Sequence, residues 1–217
     1  MLGLECPIWF QTTYIAFDII FFLISLAITI TSIRAYMFLR EERFKLFAAG
    51  FGFLTLSYLV GTLASCAILA SNASLMTVTS YLFAPLFLVG LMLLLFVYLE
   101  INQQSVRALL LILVIAVVLA INRPMGSLQG IVFYLLGAVL LGFMVSRIAY
   151  KCHKNHKPTT LLVMIGFILL LVGQVLMAFL SLESVLFSLD SFFFVAASVA
   201  TLLGLISISI SRLLVKG

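Results

Sequence analysis

Residues 14–45 read YIAFDIIFFLISLAITITSIRAYMFLREERFK. From Tyr14 to Leu39 the only charged residues are Asp18 and Arg34, and the chain then breaks into the polar run Arg40-Glu41-Glu42-Arg43-Phe44-Lys45. A helix rises 1.5 Å per residue, so about 20 apolar residues cross the hydrocarbon core of a bilayer. The stretch therefore reads as one complete membrane crossing followed by a basic hinge. No basic residue precedes it and it exceeds a secretory apolar region in length, so it is expected to be a retained first span.

The same pattern continues along all 217 residues. The chain is 65% apolar and 9% charged, whereas a soluble domain carries about 25% charged residues. With a mean hydropathy of +1.35, lipid is the only solvent that suits so much apolar surface. Lipid offers the backbone no hydrogen-bonding partner, so each crossing must satisfy its own, and an all-α fold follows. Segmentation by length gives seven transmembrane helices at 14–39, 46–70, 81–99, 106–121, 130–150, 161–182 and 191–213. The connections are too short for a folded soluble domain, so residues 1–217 are expected to form a single transmembrane domain.

Charge fixes the expected orientation. With the N-terminus outside, the cytoplasmic connections collect Arg34, Arg40, Arg43 and Lys45, then Arg107, then Arg147, Lys151, Lys154 and Lys157, and finally Arg212 and Lys216. That leaves Arg123 as the one basic residue outside, as the positive-inside bias requires. If 106–121 did not cross, the basic fifth connection would move outside, which favours seven spans over six. The formal net charge of +5 is then a topology signal, and no basic, aromatic-lined soluble groove exists to take a nucleic acid. Arg40, Arg43, Lys45, Lys151, Lys154 and Lys157 are candidate contacts for anionic inner-leaflet lipid or for an acidic partner protein. A plasma-membrane location is expected.

Shifted by 114 residues without a gap, the first helical pair falls on the fifth and sixth helices: Ala35-Tyr36 on Ala149-Tyr150, Arg40 on Lys154, Arg43 on Lys157, and Gly52-Phe53 on Gly166-Phe167. Both halves have the same orientation, so this would be a parallel repeat about an axis along the membrane normal, with three helices, a linker helix and three more. At the level of topology the chain resembles the microbial rhodopsins and the SWEET-type sugar transporters, and more loosely the seven-helix sensory modules of prokaryotic signalling proteins. The rhodopsin resemblance implies a retinal-bearing lysine within the last helix, and 191–213 contains none, so no retinal pigment is expected. The SWEET resemblance implies prolines in the first two helices of each repeat, whereas of Pro7, Pro85, Pro124 and Pro158 only Pro85 lies within a span, the third.

Asp18 is the one carboxyl group inside an apolar run, and intramembrane carboxyl groups usually face a bundle interior. The competing reading is a side chain that snorkels to the outer surface. Tyr58 near the middle of the second helix and Gln174 outward of the middle of the sixth can both donate and accept hydrogen bonds. With Asp18 they form a candidate ligand-binding set open to the outer side, against the plainer role of interhelical hydrogen bonding. Small residues spaced four apart, Ser57/Gly61/Ser65, Ala138/Gly142/Ser146 and Ala196/Ala200/Gly204, are expected to be packing seams within the bundle or a homo-oligomer.

Cys152-His153-x-x-His156 lacks a second Cys/His pair and reads as a solvated basic loop, not a zinc site. No histidine lies in a span, which removes axial histidine ligation of a haem there, and no cofactor is expected. Cys6 and Cys66 would share the outer side, but unpaired thiols are the preferred reading. Asn72-Ala73-Ser74 is a glycosylation sequon in the predicted outer loop. Nothing resembles a catalytic triad, paired intramembrane carboxylates, a metalloprotease helix or a phosphate-cradling glycine loop, so no enzyme activity is expected. The remaining functions, in order of preference, are a sensory or receptor-like module acting through a partner, a small-solute transporter, and a subunit or scaffold of a membrane complex.

Overall fold

The computed structural model describes residues 8–69, 73–99, 110, 127–155, 158–182 and 190–214. It is all helical there: α1 (Ile8–Leu39), α2 (Glu42–Leu69), α3 (Ala73–Leu99), α4 (Ser127–Asn155), α5 (Pro158–Leu182) and α6 (Asp190–Leu214). All six are long and apolar enough to cross a bilayer, which fits an integral membrane protein. The expected span 106–121 lies outside the described residues apart from Leu110. Helices run past the spans expected from hydropathy, α3 starting at Ala73 instead of Tyr81 and α4 reaching Asn155 instead of Tyr150. Hydropathy marks the lipid-embedded part, whereas helical hydrogen bonding continues into the headgroup zone wherever no breaker intervenes.

Between α1 and α2 the chain turns in two residues. Arg40 adopts a left-handed backbone, φ 50°, and donates its N–H to the Tyr36 carbonyl at 2.8 Å, closing α1 with the cap usually made by glycine. Each helix packs on its neighbours in sequence, and α1 also packs on α6, so the six helices close into a ring. Phe83 and Phe87 of α3 meet Phe133 of α4 with ring centroids 5.9 and 5.6 Å apart, and at the other end Tyr98 of α3 lines one cleft with Ile148 and Lys151 of α4. These two helices therefore run parallel, not antiparallel.

Two close crossings organise the packing. In α2 and α3, a Cβ added at Gly50 would lie 3.1 Å from the Gly90 carbonyl oxygen and one at Gly90 would lie 2.9 Å from that of Gly50, with Leu94 and Leu54 filling the flanks. In α5 and α6, Gly166 and Gly204 meet the same way at 2.8 and 2.7 Å, flanked by Ile208 and Leu170. Each α2 and α5 crossing glycine is followed by a fully buried phenylalanine, Phe51 after Gly50 and Phe167 after Gly166. Gly52, paired with Gly166 by the ungapped alignment, meets only the Thr29 methyl at 3.8 Å. Of the two glycines in this helix, Gly50 therefore faces α3 and Gly52 faces α1.

The seams are partly as expected. Gly204 sits at a crossing and Ser57 and Ser65 are buried, but in α4 a Cβ on Gly142 would meet nothing within 4 Å and Ser146 is exposed. The close approach in α4 is made by Gly137 instead. Apolar side chains face outward in continuous stripes, Leu161, Ile165, Ile168, Val172, Val175 and Phe179 on α5 being one, as lipid-facing helices require. In α3, by contrast, every residue from Leu91 to Phe96 is buried, and Leu110 packs against the same core.

Candidate functional site

The candidate site grows from Asp18, one turn into the lipid-spanning part of α1. Its side chain is buried, not snorkelled, and Oδ2 has no hydrogen-bond partner. It faces Gly61 of α2, where an added Cβ would stand 3.4 Å from Oδ2 and 3.3 Å from the Phe83 ring. Glycine at this position makes room for the carboxyl group. Asp18 lies within electrostatic reach of the phenols of the buried Tyr58 and the half-buried Tyr134.

Aromatic rings enclose this end of the bundle. Phe21 stands 5.4 Å from Tyr58 and Phe17 6.3 Å from Phe194, while Phe83, Phe87 and Phe133 pack mutually and Phe133 stacks edge-on against Tyr134 at 5.0 Å. Leaving a carboxylate oxygen unpaired in such surroundings costs several kcal/mol in principle, about 1–3 kcal/mol for an unsatisfied polar group in a protein and more for a charged one.

Gln174 of α5 is also buried, its Oε1 unpartnered and aimed at Gly137 of α4, where an added Cβ would lie 3.0 Å away. Gly137 follows Tyr134 by about one helical turn, roughly 5 Å of rise. The structure thus brings Asp18 and Tyr58 together, and places Gln174 deeper, against the helix that carries Tyr134. Ser57 and Ser198 contribute two more buried hydroxyls without partners. Tyr134, Gly61, Gly137 and Ser198 were not singled out as site residues from sequence. Small residues and tyrosines are common in spans, and only the placement of Asp18 and Gln174 selects these.

Not every hydroxyl is unsatisfied. Ser25 and Thr29 of α1 meet Thr55 of α2 at 3.2 and 3.3 Å, and each hydroxyl is also within reach of a carbonyl one turn back in its own helix, so its single proton is shared between the two acceptors. This is ordinary interhelical hydrogen bonding. Its presence about two to three turns from Asp18 underlines that the orphaned oxygens are a different case.

At the opposite end lie the basic candidates. Arg40, Arg43 and Lys45 are exposed, and Arg43 lines with the half-buried Lys151 a cleft of about 260 Å³. The side chain of Lys154 and all of Lys157 lie outside the described residues, as do Asn72, Cys6 and His156. Cys66 and Cys152 are free thiols. Among the described residues, no group of three or more His, Cys, Asp or Glu is placed to hold a metal ion. Comparison with family models, with curated proteins and with solved structures finds no match for this chain.

Proposed function

We propose that this chain is a seven-span, non-enzymatic sensory or receptor-like module of the cell membrane, with its N-terminus outside. Its ligand site is the Asp18 end of the bundle, and its signal leaves through a separate membrane or cytoplasmic partner. The observation that carries this reading is the buried, unpartnered Asp18 oxygen within an aromatic enclosure. Both Asp18 Oδ2 and Gln174 Oε1 are acceptors, so the ligand that would satisfy them is a small, largely apolar molecule bearing hydrogen-bond donors.

Two features support the seventh span. The chain leaves α3 at the basic end and begins α4 at the Asp18 end, which favours a return crossing between them, and about 20 residues suffice for one. Burial of α3 on every side from Leu91 to Phe96 also calls for cover beyond its ring neighbours α2 and α4. The matched glycine crossings at Gly50/Gly90 and Gly166/Gly204, and the matched α1·α6 and α3·α4 interfaces, support a parallel 3+1+3 repeat. Transport ranks second because the described spans are unbroken, with Pro85 the one proline inside them.

The test is mild purification with identification of bound small molecules and co-purifying proteins, together with solute uptake into reconstituted vesicles. The sensory reading expects a bound or bindable donor molecule whose affinity falls in Asp18→Asn, with no saturable uptake. Saturable uptake without a partner would replace it with the transporter reading.

A further inference from the structure

Asp18 is the one acidic residue between Tyr14 and Leu39, and its surroundings narrow the chemistry of a ligand at this end. Its Oδ2 and the ring of Phe83 both stand within 3.4 Å of a single point, the place that a Cβ on Gly61 would take. Tyr58, within electrostatic reach of Asp18, lies 5.4 Å from Phe21 between ring centroids. Phe83 and Phe133 are 5.9 Å apart, and Phe133 is 5.0 Å from Tyr134, the second phenol in reach of Asp18. Rings from α1, α2, α3 and α4 therefore gather about one carboxyl group.

Two properties of that setting select a positively charged ligand. An aromatic face is the negative part of the ring quadrupole and attracts a cation within about 6 Å of the ring centre, more strongly where water is excluded. A carboxylate in an apolar interior is offset only by a group of opposite charge, whereas a neutral donor satisfies one lone pair and leaves the charge uncompensated. Among the described residues no basic side chain stands at this end. Along α1 the first is Arg34, roughly 24 Å farther along the helix, and Arg43, Lys45, Arg147 and Lys151 of α2 and α4 lie towards the opposite end. Nor is the donor set that of a calcium-like ion, which takes about 6–8 oxygens. Among the described residues no three His, Cys, Asp or Glu are placed to share a metal. A lone carboxylate among rings suits an organic cation, its charge at the carboxylate and its alkyl or aryl groups against the rings.

We infer that the Asp18 end of the bundle binds an organic ammonium cation, held by the Asp18 carboxylate and by the aromatic faces of Phe21, Tyr58 and Phe83. The inference rests on the reading of this end as a ligand site and adds the charge of the ligand to it.

The test uses the full chain in neutral detergent and two probes of nearly the same shape, choline and 3,3-dimethylbutan-1-ol, in which a carbon replaces the charged nitrogen. Choline is expected to bind saturably and about tenfold or more tightly than the alcohol, as an ion pair assisted by ring faces implies. Asp18→Asn should bring choline down to the level of the alcohol. Phe83→Leu removes a ring but no hydrogen-bonding group, and should weaken choline about threefold or more while moving the alcohol less than about twofold. A general loss of packing would weaken both alike. Arg123 lies outside the described residues, and Arg123→Gln is expected to leave the affinity for choline unchanged. A marked rise in that variant would make Arg123 the counter-charge of Asp18 and overturn the inference. Equal binding of choline and the alcohol, weakened together by Asp18→Asn, would keep the ligand site and remove its preference for a cation. Displacement of choline by equimolar sodium, undiminished choline binding in Asp18→Asn, or no saturable binding of choline would overturn it as well.

Discussion

Asp18 separates a functional residue from a structural one by the sign of its effect on stability. Its carboxylate oxygen has no partner, so an isosteric amide or an apolar replacement removes a cost instead of a bond. Asp18→Asn and Asp18→Leu are therefore expected to leave thermal stability unchanged or raise it, by up to about 1–3 kcal/mol, while abolishing the ligand response. Loss of stability in both variants would make Asp18 a structural group. Arg40 gives a second case, because a side chain in left-handed backbone is strained where glycine is not. Arg40→Gly should stabilise the protein by about 0.5–1 kcal/mol, read as a higher midpoint of thermal unfolding in detergent. Asp18 was legible from sequence because a lone carboxyl group in an apolar run has few explanations. Tyr134 was not, since its meaning comes from a helix more than a hundred residues away in the chain.

Helix pairs are held by close backbone approach, and here sequence spacing was informative only in part. Residues four apart mark a helix face, yet α2 carries both Gly50 and Gly52, and apolar lipid-facing and apolar buried faces look alike in composition. The structure assigns the crossing to Gly50. Gly50→Ala would press a methyl group to within 2.8 Å of the Leu94 side chain and 3.1 Å of the Gly90 carbonyl, and is expected to cost about 1–3 kcal/mol. Gly52→Ala, with its nearest neighbour at 3.8 Å, should be neutral or stabilising, since alanine is the better helix former. Gly166→Ala should behave like Gly50→Ala, because an added Cβ there would lie 2.6 Å from the Ile208 side chain and 2.8 Å from the Gly204 carbonyl oxygen. Unfolding midpoints of the three variants test which glycine makes the crossing, and Gly52→Ala emerging as the damaging one would assign it to Gly52.

The whole molecule has two chemically opposed ends, an aromatic one with orphaned acceptors and a basic one with an open cleft. Composition alone revealed the bilayer, and the distribution of lysine and arginine predicted which end faces the cytoplasm. What sequence left open was the weakest segment, 106–121, because its fully apolar core is shorter than a typical span. The parallel course of α3 and α4 bears on it through long-range packing that no local pattern records. The most direct measurement is labelling of single cysteines in intact cells by a membrane-impermeant thiol reagent, with Cys6, Cys66 and Cys152 replaced. Cysteines at Ser80 and Gly126 are expected to be labelled, while those at Gln103 and His153 are shielded until the membrane is permeabilised. Labelling at Gln103 or His153 in intact cells, or protection at Gly126, would contradict a seventh crossing with the Asp18 end outside.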